Sequence, residues 1–129
     1  MFLKNVLIFS DDRITATVLD CALSLEGFRI GHCSEISRAK EKVAEGGFDI
    51  AVIDMETAGI EGYDLCRKIK NKRVNGVPYL IVMSAGTISG ELAQLLEADY
   101  FLSKPFRMEM LLNIMNELSM VRKLDCIYR

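Results

Sequence analysis

Short, mostly apolar segments alternate along the chain with longer segments whose apolar residues recur every three or four positions. The short segments have the composition of buried strands and are residues 6–9, 28–33, 50–53, 79–83 and 100–102. The longer segments have the spacing of one helix face, as in Ile14, Val18 and Leu25 of the first. The pattern therefore predicts five consecutive strand–helix units.

Glycine and serine residues mark several ends of the predicted helices. The first helix is expected to end at Gly27. The second is expected to have its cap near Ser34 or Ser37 and to end at the glycine pair 46–47. The third, fourth and fifth carry their apolar residues within 63–70, 92–96 and 111–122.

Apolar strands joined by helices predict a parallel sheet that helices cover on both faces, because each crossover passes over the sheet with a right hand. For five strands the favoured order is 2-1-3-4-5, which is the flavodoxin-like, doubly wound α/β fold. Strands 1 and 3 then lie side by side where the strand order reverses. Ligands bind at this point in such sheets.

Length and composition indicate one globular domain. The chain has 129 residues, of which 50% are hydrophobic and 26% charged, and we expect residues 1–124 to form the domain, with 125–129 as a tail or the start of a linker. The net charge is −2, and charges of both signs are interspersed. This distribution argues against direct binding of nucleic acid.

The termini and the cysteines indicate a reduced, cytoplasmic protein. The apolar stretch before Ser10 is too short for a signal peptide, and no uncharged run reaches membrane-spanning length. Four cysteines lie far apart without metal-ligand spacing, so we expect reduced thiols that serve mainly in packing.

Polar residues follow the predicted strands at one common edge. Asp11 and Asp12 follow the first strand, Asp54 the third, Ser84 the fourth and Lys104 the fifth. Because the carboxyl ends of parallel strands meet at one edge, these side chains are expected to converge. Neighbouring carboxylates repel one another, and a divalent cation relieves the repulsion. Oxygen ligands alone favour Mg2+.

Each of these residues also has a purely structural interpretation. An aspartate after a strand often caps the next helix, a serine before Ala85-Gly86 is typical of a turn, and a lysine before proline can be a solvated loop residue. Together they favour phosphoryl chemistry, in which Asp54 is an oxygen nucleophile and the Lys104 ammonium neutralises a phosphoryl oxygen.

In this order and at these separations, the motifs resemble the receiver domains of bacterial two-component response regulators. The resemblance covers about residues 6–118 and lies in Val-Leu-Ile-Phe-Ser-Asp-Asp at 6–12, Asp54 with Gly-Ile-Glu-Gly-Tyr-Asp-Leu at 59–65, Met-Ser-Ala at 83–85, and Ala-Asp-Tyr-Phe-Leu-Ser-Lys-Pro-Phe at 98–106. It implies a signalling switch and no turnover enzyme.

The resemblance implies a role for each residue of the site. Asp54 would accept a phosphoryl group from a phosphohistidine on a histidine kinase or phosphotransfer protein. Mg2+ would be held by Asp11, Asp54 and the backbone carbonyl of Glu56, with Asp12 as a possible further ligand. Lys104 would bind a phosphoryl oxygen, and the Lys-Pro bond that follows is often cis in the family.

The resemblance also implies a switch. Ser84 would move toward the phosphoryl group and the rotamer of Phe101 would follow, which would alter the surface formed by the fourth predicted helix, the fifth strand and the fifth helix. This surface would contact a downstream effector protein or a fused output domain, and it is also a possible homodimer interface.

Some residues depart from the family pattern. Ser10 stands where the family usually has an acid, which removes one carboxylate from the site. Ala58 stands where proline is frequent, and the side chain of Glu56 could crowd the phosphoryl group or pair with Lys104. The single histidine, His32, lies in the second strand and is assigned no role.

Three alternative functions are compatible with parts of the pattern. The main one is a degenerate receiver that docks partner proteins without phosphorylation, and Ser10 is the feature that favours it. Asp54-Met55-Glu56 is superficially similar to the start of haloacid-dehalogenase-like phosphatases, but Ala58 replaces the expected threonine. An FMN carrier fits the fold, yet Asp11 and Asp12 would repel a flavin phosphate.

Overall fold

A computed structural model describes residues 4–86 and 94–128, with side chains described as far as residue 118. Its strands are β1 (Asn5–Phe9), β2 (Arg29–Cys33), β3 (Ile50–Asp54), β4 (Tyr79–Ser84) and β5 (Tyr100–Ser103). Its helices are α1 (Arg13–Leu25), α2 (Ile36–Glu45), the one-turn α3 (Met55–Ala58), α4 (Glu61–Asn71) and α5 (Met108–Tyr128).

The five described strands form one parallel sheet in the order β2-β1-β3-β4-β5. The predicted strand order is therefore confirmed. The register pairs Phe9 with Ile53, Asp54 with Met83, and Ser84 with Ser103. The carboxyl ends of β1, β3, β4 and β5 consequently meet along one edge, where polar residues follow them.

Helices bury both faces of the sheet, which explains why β1, β3 and β4 are almost continuously apolar. One core contains residues of α1 and α5, namely Leu19, Leu23, Leu111 and Met115. The other contains residues of α2 and α4, namely Ala39, Val43, Leu65 and Ile69. Alternate residues of each strand supply the two cores.

The buried face of α1 is not the one that the sequence predicted. Ile14 and Leu25 are 78% and 89% exposed, whereas Leu19 and Leu23 are fully buried. Residues 14, 18 and 25 form one stripe and residues 16, 19 and 23 another, and at 100° per residue these lie on opposite sides of a helix. The prediction was wrong because both stripes are apolar and only one contacts the sheet.

Other helix boundaries also differ from expectation. Neither predicted serine caps α2, because its N-cap is Glu35, which makes no side-chain capping bond. The helix ends at Gly46 as predicted, in a conformation with φ of 73°. The predicted start of the fourth helix, with Leu92, lies outside the described residues, and residues 94–96, with Leu95 and Leu96, are helical. The last helix continues to Tyr128.

An ionic cluster joins the starts of β4 and β5. Asp99, just before β5, accepts the backbone N–H of Leu80 at 2.7 Å and a hydrogen bond from the Arg73 guanidinium. Arg73 also donates to the carbonyl of Pro78 at 3.0 Å. These bonds fix the position of β5 against β4 at the end of the sheet opposite the polar edge.

The described cysteines are free thiols, and two of the three have the packing position that the sequence predicts. Cys21 is exposed, whereas Cys33 and Cys66 are buried. Burial raises the pKa of Cys66 to about 12, which makes this thiol unreactive at neutral pH. The side chain of Cys126 lies outside the described residues. Among the described helices, none is long and apolar enough to cross a membrane.

Candidate phosphoryl-transfer site

Asp54 is a buried carboxylate at the end of the central strand. It is 1% exposed, because β3 lies between β1 and β4 and α3 begins directly after it. Ser10 follows β1 next to it and is completely buried. The Ser10 hydroxyl donates to Oδ2 of Asp54 at 2.7 Å. A hydroxyl donor therefore occupies the position where the family pattern has a second acid.

Lys104 reaches the same carboxylate from the end of β5. Its Nζ lies 2.8 Å from Oδ2 of Asp54, and its side chain is 19% exposed. Its backbone N–H donates to the carbonyl of Ser84 at 2.8 Å, which holds the residue against β4. The Lys104–Pro105 bond is cis, as the resemblance implies. The structure thus brings Asp54 and Lys104 together at the expected edge.

The other oxygen of Asp54 binds the chain that follows it. Oδ1 accepts the backbone N–H of Glu56 at 3.1 Å, so Asp54 also caps the one-turn helix α3. Both oxygens are consequently fixed, Oδ2 by Ser10 and Lys104 and Oδ1 by Glu56. A nucleophile that is held in one orientation loses little entropy on the way to the transition state.

Asp11 lies on the exposed side of the site. Its carboxylate accepts the Thr57 hydroxyl at 2.8 Å, and its backbone N–H donates to the same hydroxyl at 2.9 Å. This pair joins the end of β1 to α3. Sequence analysis did not identify Thr57, and the available signal was only a hydroxyl three residues after Asp54.

Asp12 serves as the N-cap of α1. Its Oδ1 accepts the N–H groups of Ile14 and Thr15, and its Oδ2 accepts the Thr15 hydroxyl at 2.8 Å. The Thr15 hydroxyl, followed by the backbone bonds, lowers the pKa of Asp12 below its usual value. Both oxygens of Asp12 thus take part in the cap, and its role as a further metal ligand stays a prediction. The capping interpretation applies to Asp12.

Ser84 and Phe101 lie on β4 and β5, the two strands on one side of the strand that ends in Asp54. Ser84 ends β4 one residue beyond Met83, the register partner of Asp54, and its half-buried hydroxyl accepts only a long bond of 3.4 Å from Gly86 among the described residues. Phe101 is half-buried in β5 and packs against the core that contains α2 and α4. Neither residue has a hydrogen bond to Asp54 among the described contacts.

Two further side chains contact the site. The side chain of Glu56 was expected close to the phosphoryl group or to Lys104, but its contact with Ala85 was not predicted. The carboxylate of Glu56 accepts the backbone N–H of Ala85, the residue directly after β4. The imidazole Nε2 of His32 lies 2.9 Å from the carbonyl oxygen of Ser10. His32 was assigned no role from the sequence, but the register of β1 and β2 places it beside Ile8, two residues before Ser10.

The donor set suits a hard cation that retains water. Within the described residues, no group of three or more His, Cys, Asp or Glu side chains could enclose a metal ion. Asp11, Asp54 and the carbonyl of Glu56 nevertheless offer only oxygen at one edge. Mg2+ is usually bound by one or two carboxylates together with waters and substrate phosphate, so these residues fit it.

A family model for the response regulator receiver domain matches residues 6–116. The chain belongs to this family. The receiver domain is 29% identical over 116 residues to the transcriptional regulatory protein TcrA of Mycobacterium tuberculosis, an alignment that covers 89% of the chain but 46% of TcrA. The receiver domain thus spans about half the length of the curated relatives it matches.

Solved structures show the same fold. A CheY-like receiver domain protein from Methanospirillum hungatei superposes with a TM-score of 0.80 at 22% identity, covering 95% of this receiver domain and 98% of that chain. The response regulator TrrA from Thermotoga maritima, solved in complex with Mg(2+)-BeF, superposes with a TM-score of 0.75 at 24% identity, covering 90% and 99%.

Proposed function

We propose that this receiver domain accepts a phosphoryl group on Asp54 from a phosphohistidine of a histidine kinase or phosphotransfer protein. The observation that carries the proposal is the 2.8 Å contact between the Lys104 ammonium and the carboxylate of Asp54. The carboxylate is buried at a strand end and oriented by two further donors. Such a group is suited to act as a fixed nucleophile.

The transfer step follows from this geometry. A carboxylate oxygen of Asp54 forms a bond to phosphorus while the bond from phosphorus to the donor imidazole nitrogen breaks. The electron pair of the broken bond stays on the imidazole, which takes up a proton. Lys104 faces the charge that develops on the phosphoryl oxygens, because its ammonium is already at the carboxylate.

A magnesium ion would be held by Asp11, Asp54 and the backbone carbonyl of Glu56. When bound, it supplies positive charge that offsets repulsion between the acids and the incoming phosphate. This set contains two carboxylates, since Ser10 donates a hydrogen bond and Asp12 caps α1. We therefore expect Mg2+ to bind more weakly than at a site with a third acid.

The output would pass through Ser84 and Phe101. The added phosphoryl charge would attract the Ser84 hydroxyl, and repacking of Phe101 would change the surface around β5 and α5. A downstream effector or a fused output domain would bind there in the cytoplasm, and a homodimer through the same surface is the second assembly to test. The mycobacterial relative is a transcriptional regulator of about twice this length.

Intact mass spectrometry after incubation with acetyl phosphate and Mg2+ tests the proposal. Wild type should gain one phosphoryl group, and Asp54→Asn should gain none. The matched control is Asp20→Asn, an exposed aspartate of α1 that contacts only Ser24 through its side chain among the described residues. It should be labelled like wild type.

Two results would contradict the proposal. Equal labelling of wild type and Asp54→Asn would show that the nucleophile is another group. An absence of labelling in wild type, from both acetyl phosphate and a phosphorylated histidine kinase, would instead favour a module that docks its partners without phosphorylation.

A further inference from the structure

The side chain of Glu56 links the phosphoacceptor strand to the neighbouring strand end. Its carboxylate accepts the backbone N–H of Ala85, 29 positions away in the sequence. Ala85 directly follows Ser84, the residue that ends β4. The contact lies outside the hydrogen bonds that pair β3 with β4, so it is an additional connection between the two strand ends.

The backbone of Glu56 is fixed at the same time. Its N–H donates to Oδ1 of Asp54 at 3.1 Å. The one-turn helix α3 packs closely on α4, since a Cβ at Gly62 would lie 2.7 Å from the Cβ of Ala58. Glu56 therefore contacts Asp54 through its backbone and Ala85 through its carboxylate, and it cannot turn away without breaking one of these bonds.

An N–H group that binds a carboxylate oxygen can bind a phosphoryl oxygen equally well. A phosphoryl group on Asp54 would carry about two negative charges beside the single charge of Glu56. The two anions would repel each other and compete for the same donor. The Lys104 ammonium is already at Asp54, 2.8 Å from its Oδ2, and so faces the phosphoryl group first.

We propose that the Glu56 carboxylate is an internal anion that occupies the Ala85 N–H in the unphosphorylated protein and is displaced by the phosphoryl group on Asp54. Glu56 thereby slows phosphorylation of Asp54. It also holds the Ser84–Ala85 segment until Asp54 is phosphorylated. This inference rests on the proposed function, because the displacing group is the phosphoryl group. It assigns Glu56 a positioning role through its side chain, separate from its backbone carbonyl.

The experiment compares Glu56→Gln and Glu56→Ala with wild type and with Glu61→Gln. Glu61 is the matched control, because it is an exposed glutamate five positions away whose carboxylate pairs with Lys40 at 2.9 Å. The amide resonance of Ala85 is followed by NMR without phosphodonor. The rate of labelling by acetyl phosphate with Mg2+ is followed by intact mass.

We expect the Ala85 amide proton to move upfield in Glu56→Ala and to stay in place in Glu61→Gln. The labelling rate should rise roughly tenfold in both Glu56 variants, since both remove the charge that repels the phosphoryl group. Glu61→Gln should label at the wild-type rate. A merely structural bridge would give a different result, with Glu56→Gln labelled like wild type because glutamine retains an acceptor oxygen.

The outcomes separate this inference from the function on which it rests. Absence of label on every variant, from acetyl phosphate and from a phosphorylated histidine kinase, would overturn the proposed function. Labelling at equal rates in wild type and both Glu56 variants, or an Ala85 amide that does not respond to Glu56→Ala, would overturn the internal-anion role alone.

Discussion

The ends of β3 and β4 are neighbours in the sheet but are held in very different ways. Asp54 at the end of β3 is 1% exposed and receives hydrogen bonds from Ser10, Lys104 and Glu56. Ser84 at the end of β4 is half-buried, and among the described residues its hydroxyl has one long bond of 3.4 Å. The Asp54 side chain is fixed by three donors, whereas the end of β4 is held through its backbone and the Ser84 side chain has few restraints.

The difference matches what the two ends are proposed to do. A nucleophile gains from being fixed before the reaction, because its orientation then costs no further entropy. A switch needs an element that moves for a small free-energy cost. A receiver thus needs both kinds of strand end within one hydrogen-bonded pair of strands.

Removal of Lys104 should have the largest effect on the fixed end. Lys104→Met leaves the buried carboxylate of Asp54 without its cation, and we expect a loss of about 2–3 kcal/mol in the free energy of unfolding, measured in urea. The control is Lys68→Met, which disrupts an exposed ion pair with Asp64 and should change little. Equal stability of both variants would show that Asp54 is not held by Lys104.

Ser10→Asp should convert the fixed end into a stronger metal site. Two adjacent carboxylates repel, so the variant should unfold at a lower temperature than wild type without metal. Mg2+ at a hundred times its dissociation constant should raise the free energy of unfolding by about 2.7 kcal/mol. The variant should reach this gain at a lower Mg2+ concentration than wild type. Thermal unfolding over a Mg2+ titration measures both effects. An identical titration for the two proteins would contradict the role given to Ser10.

Ser10→Ala should have an intermediate effect without metal. The substitution removes the hydroxyl that donates to Asp54 at a site with no solvent access. Loss of one hydrogen-bond donor to a buried charged acceptor lowers the free energy of unfolding by about 1–2 kcal/mol. Urea unfolding can detect a change of this size.

Ser84→Ala is the matched substitution at the other strand end and should have the smallest effect. It removes only the long bond from Gly86, so the free energy of unfolding should change by less than about 0.5 kcal/mol. Asp54 should still be labelled in this variant. The NMR chemical-shift changes that phosphorylation causes in β5 should be smaller than in wild type. A stability loss as large as that of Ser10→Ala would remove the contrast between the two ends.

The sheet could be predicted from the sequence because its signals are redundant. β1, β3 and β4 are almost continuously apolar, whereas β2 carries the weakest signal. The crossovers carry a helical spacing, and one strand order suits five such units. The meeting of Asp54 and Lys104 followed from the same topology, since both end parallel strands. This prediction required only the strand order and no knowledge of individual side-chain contacts.

Details that depend on side-chain direction could not be predicted. The two apolar stripes of α1 have similar composition, and only the tertiary packing selects Leu19 and Leu23 over Ile14. The bond from Ala85 to Glu56 and the approach of His32 to Ser10 join segments distant in sequence without a motif of their own. The capping role of Asp12, in contrast, could be predicted, because an N-cap contacts only residues close to it in the sequence.

The ionic cluster around Asp99 has a consequence for genetics. Lys104 lies five positions after Asp99, about 16 Å along an extended strand, and the four residues of β5 fill the interval between them. Since Asp99 and Arg73 fix the start of β5, they also determine the position of the Lys104 ammonium that follows its other end. Screens for lost signalling should therefore recover changes at Asp99 and Arg73, on the far side of the molecule from the chemistry.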